Sequence, residues 1–181
     1  MTPVEEYDTA LHNLRTVENK LIKCSDSVWD EVSLMFLPND LIRTFKDKVN
    51  WEWVSMYNQL DEGFIEENKG YVDCSVISLC QLLSESFIRD YKDKVDWKII
   101  SRYQNLPEDF IREFEDRVNW DDVSSYQDLS TKFIVKFQDK INWSRLCMDQ
   151  HVPEHVQRYF SDKVDWLIVF ACQNLFEEFI Q

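Results

Sequence analysis

Trp97, Trp120, Trp143 and Trp166 follow one another at one fixed step, Trp51 lies two such steps before the first of them, and Cys74 occupies the step between. A phrase that returns at a constant step is the unit of a stacked architecture, in which each copy is too small to bury its own apolar face and does so against its neighbour. Every Trp slot is preceded by Asn or Asp: Asn50, Asp73, Asp96, Asn119, Asn142 and Asp165. The side-chain oxygen of such a residue can accept the free N–H groups of a first helical turn, so a helix is expected to start at each Trp. Trp29 opens the series one residue out of step.

Three and four residues past the slot come Val54/Ser55, Ile77/Ser78, Ile100/Ser101 and Val123/Ser124. This spacing places Trp, aliphatic residue and Ser on one helical face, where the small Ser is expected to permit close helix approach. Gln81, Gln104, Gln127, Gln150 and Gln173 recur seven residues past the slot. These amides are expected to satisfy backbone groups of the inter-helix turn, because a buried polar group without a partner costs about 1–3 kcal/mol.

A second helix is expected to open at Asp61, Ser84, Pro107, Ser130 and Pro153. It carries Phe87, Ile88, Tyr91 and Val95 in one copy and Phe110, Ile111, Phe114 and Val118 in the next, offsets that make one apolar stripe. Arg89/Asp93, Arg112/Asp116 and Arg158/Asp162 stand four apart and are expected to pair on its exposed side, at about 0.3–0.5 kcal/mol each.

The expected fold is all-α: an α-solenoid of about seven 23-residue helix pairs at roughly 8–10 Å spacing. A mixed α/β, leucine-rich-like solenoid is the alternative, because Val95, Trp97 and Ile99 alternate; with only two Gly in the chain, it would lack the turns it needs. Thr2, Pro3 and Glu5 make a helix-start signature, followed by Val4, Tyr7, Leu11, Leu14 and Leu21 at helical spacing. Residues 1–23 are thus expected to form an N-terminal capping helix, and residues 24–181 the repeat solenoid. The terminal "FEEFIQ" starts another second helix, so the C-terminal edge and the N-terminal helix are the expected places for self-association.

The phrase "FIRDYKDKVDWKIISRYQNLPEDFIREFEDRVNW" resembles the tandem Phe-Ile/Trp repeats of uncharacterised proteins from large double-stranded DNA viruses. The resemblance runs from about Leu41 to the C-terminus. It departs from the pattern at "FIEENKGYVDC", with Asn68, Gly70 and Cys74, and at "HVPEHVQRYF", with Val156 and Gln157. It implies a viral origin and a repeat scaffold, and it carries over no catalytic residues.

With 20 basic against 34 acidic residues, the formal charge of −14 repels phosphate backbones and anionic membranes, so neither nucleic acid nor membrane is expected as a direct partner. No apolar run is long enough to span a bilayer, the first residues are acidic where a signal peptide is basic, and the five cysteines include no CxxC pair. A cytoplasmic location is expected, in a host cell or a virion if the chain is viral. No phosphate loop, nucleophile elbow or HExxH occurs, so the chain is expected to be non-enzymatic and to need no cofactor.

Two constellations remain. Cys147, His151 and His155 have a zinc-chelating spacing on a single helix, but Pro153 should start a new helix between them, so no metal is expected. The slots two and five past Trp should point away from the core. They are polar in later copies (Arg102, Asp122, Ser125, Arg145) and apolar in early ones, where Trp53, Met56, Val76, Leu79 and Ile99 are the candidate partner-binding stripe. The expected function is a scaffold for protein–protein interaction. The alternative is an acidic mimic of nucleic acid that inhibits a DNA- or RNA-binding enzyme, whose grip should weaken steeply with salt.

Overall fold

The computed structural model describes residues 16, 19–150 and 152–172, and among them every regular element is helical. The chain divides into two compact units, Met1–Asp73 and Cys74–Gln181. In the first, the described helices are α1 (Asp26–Ser33), α2 (Asn39–Thr44), α3 (Trp51–Tyr57) and α4 (Glu62–Glu67). In the second they are α5 (Cys74–Cys80), α6 (Glu85–Asp90), α7 (Trp97–Tyr103), α8 (Glu108–Glu113), α9 (Trp120–Tyr126), α10 (Thr131–Lys136), α11 (Trp143–Asp149), α12 (Glu154–Tyr159) and α13 (Trp166–Cys172). This is the α-solenoid plan of alternating Trp helices and short second helices; no strand occurs among the described residues. Most of the expected capping helix over 1–23, and the C-terminal edge from residue 173, lie outside the described residues.

Helices begin where the caps require. Asn50 accepts from the Glu52 and Trp53 amides at 3.1 and 3.4 Å, Asp96 from Lys98 and Ile99 at 2.9 and 3.1 Å, Asn119 from Asp122 at 3.0 Å and Asn142 from Arg145 at 3.1 Å. Each of these helices starts at its Trp. Trp29 is the exception: α1 starts three residues earlier, so the indole sits mid-helix, fully buried, with its ring 4.9 Å from Phe45. The misplaced register is thus absorbed within α1.

In the regular copies the indole folds back on the turn before its own helix. The Nε1 groups of Trp51, Trp97, Trp120 and Trp143 donate to the carbonyls of Lys46, Lys92, Glu115 and Gln138 at 2.8–3.0 Å. The ring then lies along the aromatics of the following second helix, as in Trp97–Phe114 at 4.9 Å and Trp120–Phe137 at 5.3 Å. Trp51, Trp97 and Trp120 are half-buried rather than wholly inside, whereas Trp143, with the same bond, is buried.

Second helices open at the five expected residues, with Asp61, Ser84 and Ser130 accepting the amides of Phe64, Phe87 and Phe133. Each is six residues long. Val95, Val118 and Ile141, the last members of the stripe, therefore lie in the turn beyond the helix, and all three are buried.

This brevity overturns one expectation. Asp93 and Asp116 fall past the helix end, where no i,i+4 geometry exists, and neither Arg89–Asp93 nor Arg112–Asp116 forms. Arg89 instead binds Glu85 and, at 2.9 Å, Glu113 of the next repeat; Asp93 takes Arg117 at 2.7 Å and Asp116 takes Lys140 at 3.4 Å. Arg112 pairs with Glu108 and Asp109, and Arg158 with Glu154. The surface charges link consecutive repeats in addition to bracing single helices. Open to water, such links are screened and add little to stability.

Candidate functional site

Two polar ladders inside the stack decide which side chains are left for anything else. The Gln127 Oε1 accepts the Leu106 amide at 2.9 Å, while its Nε2 donates to the carbonyls of Ser101 and Gln104 at 2.9 and 2.8 Å. Gln104 does the same one repeat earlier, with the Leu83 amide and the Ser78 and Gln81 carbonyls, and Gln150 donates to Ser124 and Gln127. The expected turn-satisfying amides thus reach back to the preceding repeat, 21–26 residues away. In the first unit Asn58 holds this slot and accepts the Leu37 amide at 2.6 Å. Position 58 is seven residues past Trp51, so the register marks the slot, but the glutamine series passes over the shorter amide.

The Ser slot also does more than permit approach. Ser101 Oγ donates to the Trp97 carbonyl at 2.6 Å and accepts the Asn119 amide at 2.9 Å, and Ser124 joins the Trp120 carbonyl to the Asn142 amide in the same way. Ser33 relays between Trp29 and Asn50. Ser101→Ala is expected to cost about 1–2 kcal/mol in urea unfolding, since it strands the Asn119 amide. Ser101→Cys should cost less, because a thiol can serve both bonds weakly.

Cys147 occupies the Ser slot of α11 and is wholly buried. Burial, and secondarily the carboxylate of Asp165, push its thiol up to about 11, so it stays protonated at neutral pH. His155 lies beyond the helix break at Pro153 on the exposed side of α12, and His151 lies outside the described residues. Among the described residues no three His, Cys, Asp or Glu side chains converge as a metal site. No described helix is long and apolar enough to cross a membrane.

The outward slots of the Trp helices are what the ladders leave over. In the first unit Trp53 and Met56 on α3 are half-buried, and the Trp53 ring lies 6.0 Å from that of Tyr57, which is exposed. In the second unit Val76 on α5 and Ile99 on α7 are half-buried, whereas Leu79 is 43% and Leu82, just past α5, 93% exposed. α5, α7, α9, α11 and α13 pack in sequence, which brings these slots into one row within that unit.

The row changes character at α7. Arg102 arches onto α9, its guanidinium carbon 5.4 Å from the centre of the Tyr103 ring and 4.8 Å from that of Tyr126. Asp122 and Ser125, expected to face water, are buried, although they stand opposite the Val123/Ser124 face. A seven-residue helix cannot shelter its own far side, and α9 packs against both α7 and α11. Asp122 Oδ2 and Ser125 Oγ have no hydrogen-bond partner among the described residues. Sequence spacing placed both residues on the outward side; their burial depends on neighbours one repeat away, which spacing within one helix does not encode.

No protein-family model, curated protein or solved structure matches this chain.

Proposed function

We propose that the chain is a non-enzymatic repeat scaffold that binds another protein through the outward slots of its Trp helices. The supporting observation is the contrast along α5. Its inward residues Ile77 and Ser78 are fully buried, while Leu79 and the neighbouring Leu82 present bare apolar surface beside half-buried Val76 and Ile99. Exposed leucines on an otherwise strongly charged chain are characteristic of contact surfaces. Short capped helices hold these side chains in place before any partner arrives, so association loses little ordering entropy. Given the likeness of the repeat phrase to those of large DNA-virus proteins, the partner proposed is a host protein or another virion component, met in the cytoplasm.

The interleaved charges favour this reading over an acidic mimic of nucleic acid. Asp93, Asp116 and Asp139 each carry a cation of the next repeat, Arg117, Lys140 and Lys163, which breaks up any run of carboxylates at phosphate-like spacing. Leu79→Asp, Leu82→Glu and Trp53→Asp are to be compared in affinity capture from native cells. The partner retained by the parent protein should be lost in Leu79→Asp and Trp53→Asp, with the exposed Leu82→Glu unfolding within about 0.5 kcal/mol of the parent. Capture unaffected by all three, or capture that vanishes steeply with salt, contradicts the apolar surface.

A further inference from the structure

Among the second helices of the second unit, one step breaks the repeat on both of its sides. In the first unit Arg43 of α2 holds its guanidinium carbon 5.0 Å over the Phe64 ring of α4 and binds Glu67. In the second unit Arg89 of α6 lies 5.0 Å over Phe110 of α8 and binds Glu113, and Arg112 of α8 lies 5.4 Å over Phe133 of α10, braced by Glu108. The sequence separation of arginine and ring is the same in all three cases. The following step, α10 to α12, should set an arginine at 135 over a phenylalanine at 156. Val135 and Val156 stand there instead, with Thr131 in the slot of Glu108 and Tyr159 in the slot of Glu113.

These four replacements are scattered in sequence and meet in space. With Phe160 and His155 they line an open apolar notch of about 230 Å³ between α10 and α12. Its shape follows from what is missing: a phenyl ring at position 156 and the guanidinium lid above it. Removal of a ring alone would leave a hollow beneath an arginine; replacing the lid as well opens the hollow to the outside. Val135 and Tyr159 at its edge are 42% and 76% exposed. An apolar cavity of about 150 Å³ suffices to hold benzene.

We propose that this notch is a binding site for a phenylalanine-type side chain presented by a partner protein, which takes the place of the absent ring. The walls carry no carboxylate and no ammonium group, so a neutral ring is the matching chemistry. The open mouth admits a side chain while its backbone remains outside, and Thr131 and His155 supply a hydroxyl and an imidazole able to bond that backbone. The site lies on the second helices and stands or falls independently of the Trp-helix surface.

The test is a titration of the full chain with N-acetyl-phenylalaninamide, N-acetyl-leucinamide and benzyl alcohol, followed by methyl resonances. Saturable shifts of the Val135 and Val156 methyls in the millimolar range are expected, at least about fivefold tighter for the phenylalanine derivative than for the leucine one. Val156→Phe should abolish the shift of the Val135 methyls, and the rebuilt pair Val135→Arg/Val156→Phe that of the Thr131 methyl, which also lines the notch, while the unfolding midpoint holds or rises. Absence of saturable shifts at these two valines in the parent protein, persistence of the Val135 shift in Val156→Phe or of the Thr131 shift in the rebuilt pair, or equal binding of the leucine derivative overturns the proposal. Benzyl alcohol binding as tightly as the amide overturns the assignment to a partner's side chain and makes the notch a small-molecule site.

Discussion

Gln127→Leu is expected to lower the unfolding free energy by about 3–5 kcal/mol, because it strands three backbone groups together, each worth about 1–3 kcal/mol when buried and unpaired. The side chain is buried, and the Leu106 amide and the carbonyls of Ser101 and Gln104 all bond to it. Leucine fills much the same volume, so a loss of this size measures hydrogen bonding rather than packing. For a chain of this length it corresponds to a fall of roughly 10 °C or more in Tm. Gln150→Leu should cost less, since Gln150 is only half-buried. Equal losses at the two positions would mean that the ladder's burial is unimportant.

Phe110→Ala is expected to be comparably severe, at about 3–5 kcal/mol, the usual range for emptying a buried aromatic site. Phe110 is wholly inaccessible, holds its ring tilted against that of Phe114 at 4.7 Å and lies under Arg89. Its loss should also loosen Arg89 from Glu113, across the same pair of helices. Phe110→Val should cost visibly less, because this chain already uses valine in that slot at Val156. Chemical denaturation monitored by the Trp fluorescence is the measurement, and a multiphasic transition with early loss around α6 to α8 would show repeats melting locally, as one-dimensional stacks do.

How far the fold was legible follows from the length over which each signal acts. Helix starts at Asn50, Asp96, Asn119 and Asn142 depend on bonds two or three residues long, and the cap residues announce them directly. The Gln and Ser roles were legible as recurring slots, but their partners lie in the adjoining repeat, so only their need for partners was apparent. The arginine pairs were misread because a six-residue helix ends before Asp93 and Asp116, and period alone carries no helix length. The burial of Asp122 and Ser125 and the notch at Val135 and Val156 are products of stacking. Val156 was visible as a departure from the repeat and Val135 was not singled out; only apposition of α10 and α12 makes the pair a cavity.

The central claim is that consecutive helix pairs are joined by side chains reaching back one repeat. Its most direct test is hydrogen exchange at the amides of Leu37, Leu83 and Leu106. Each lies in a turn beyond a Trp helix, and its amide bonds to a side-chain oxygen of the next repeat, Asn58, Gln104 and Gln127 respectively. Protection like that of the buried helical amides is predicted at all three, with Leu106 alone released in Gln127→Leu. Exchange at the rate of open turns in the parent protein would contradict it.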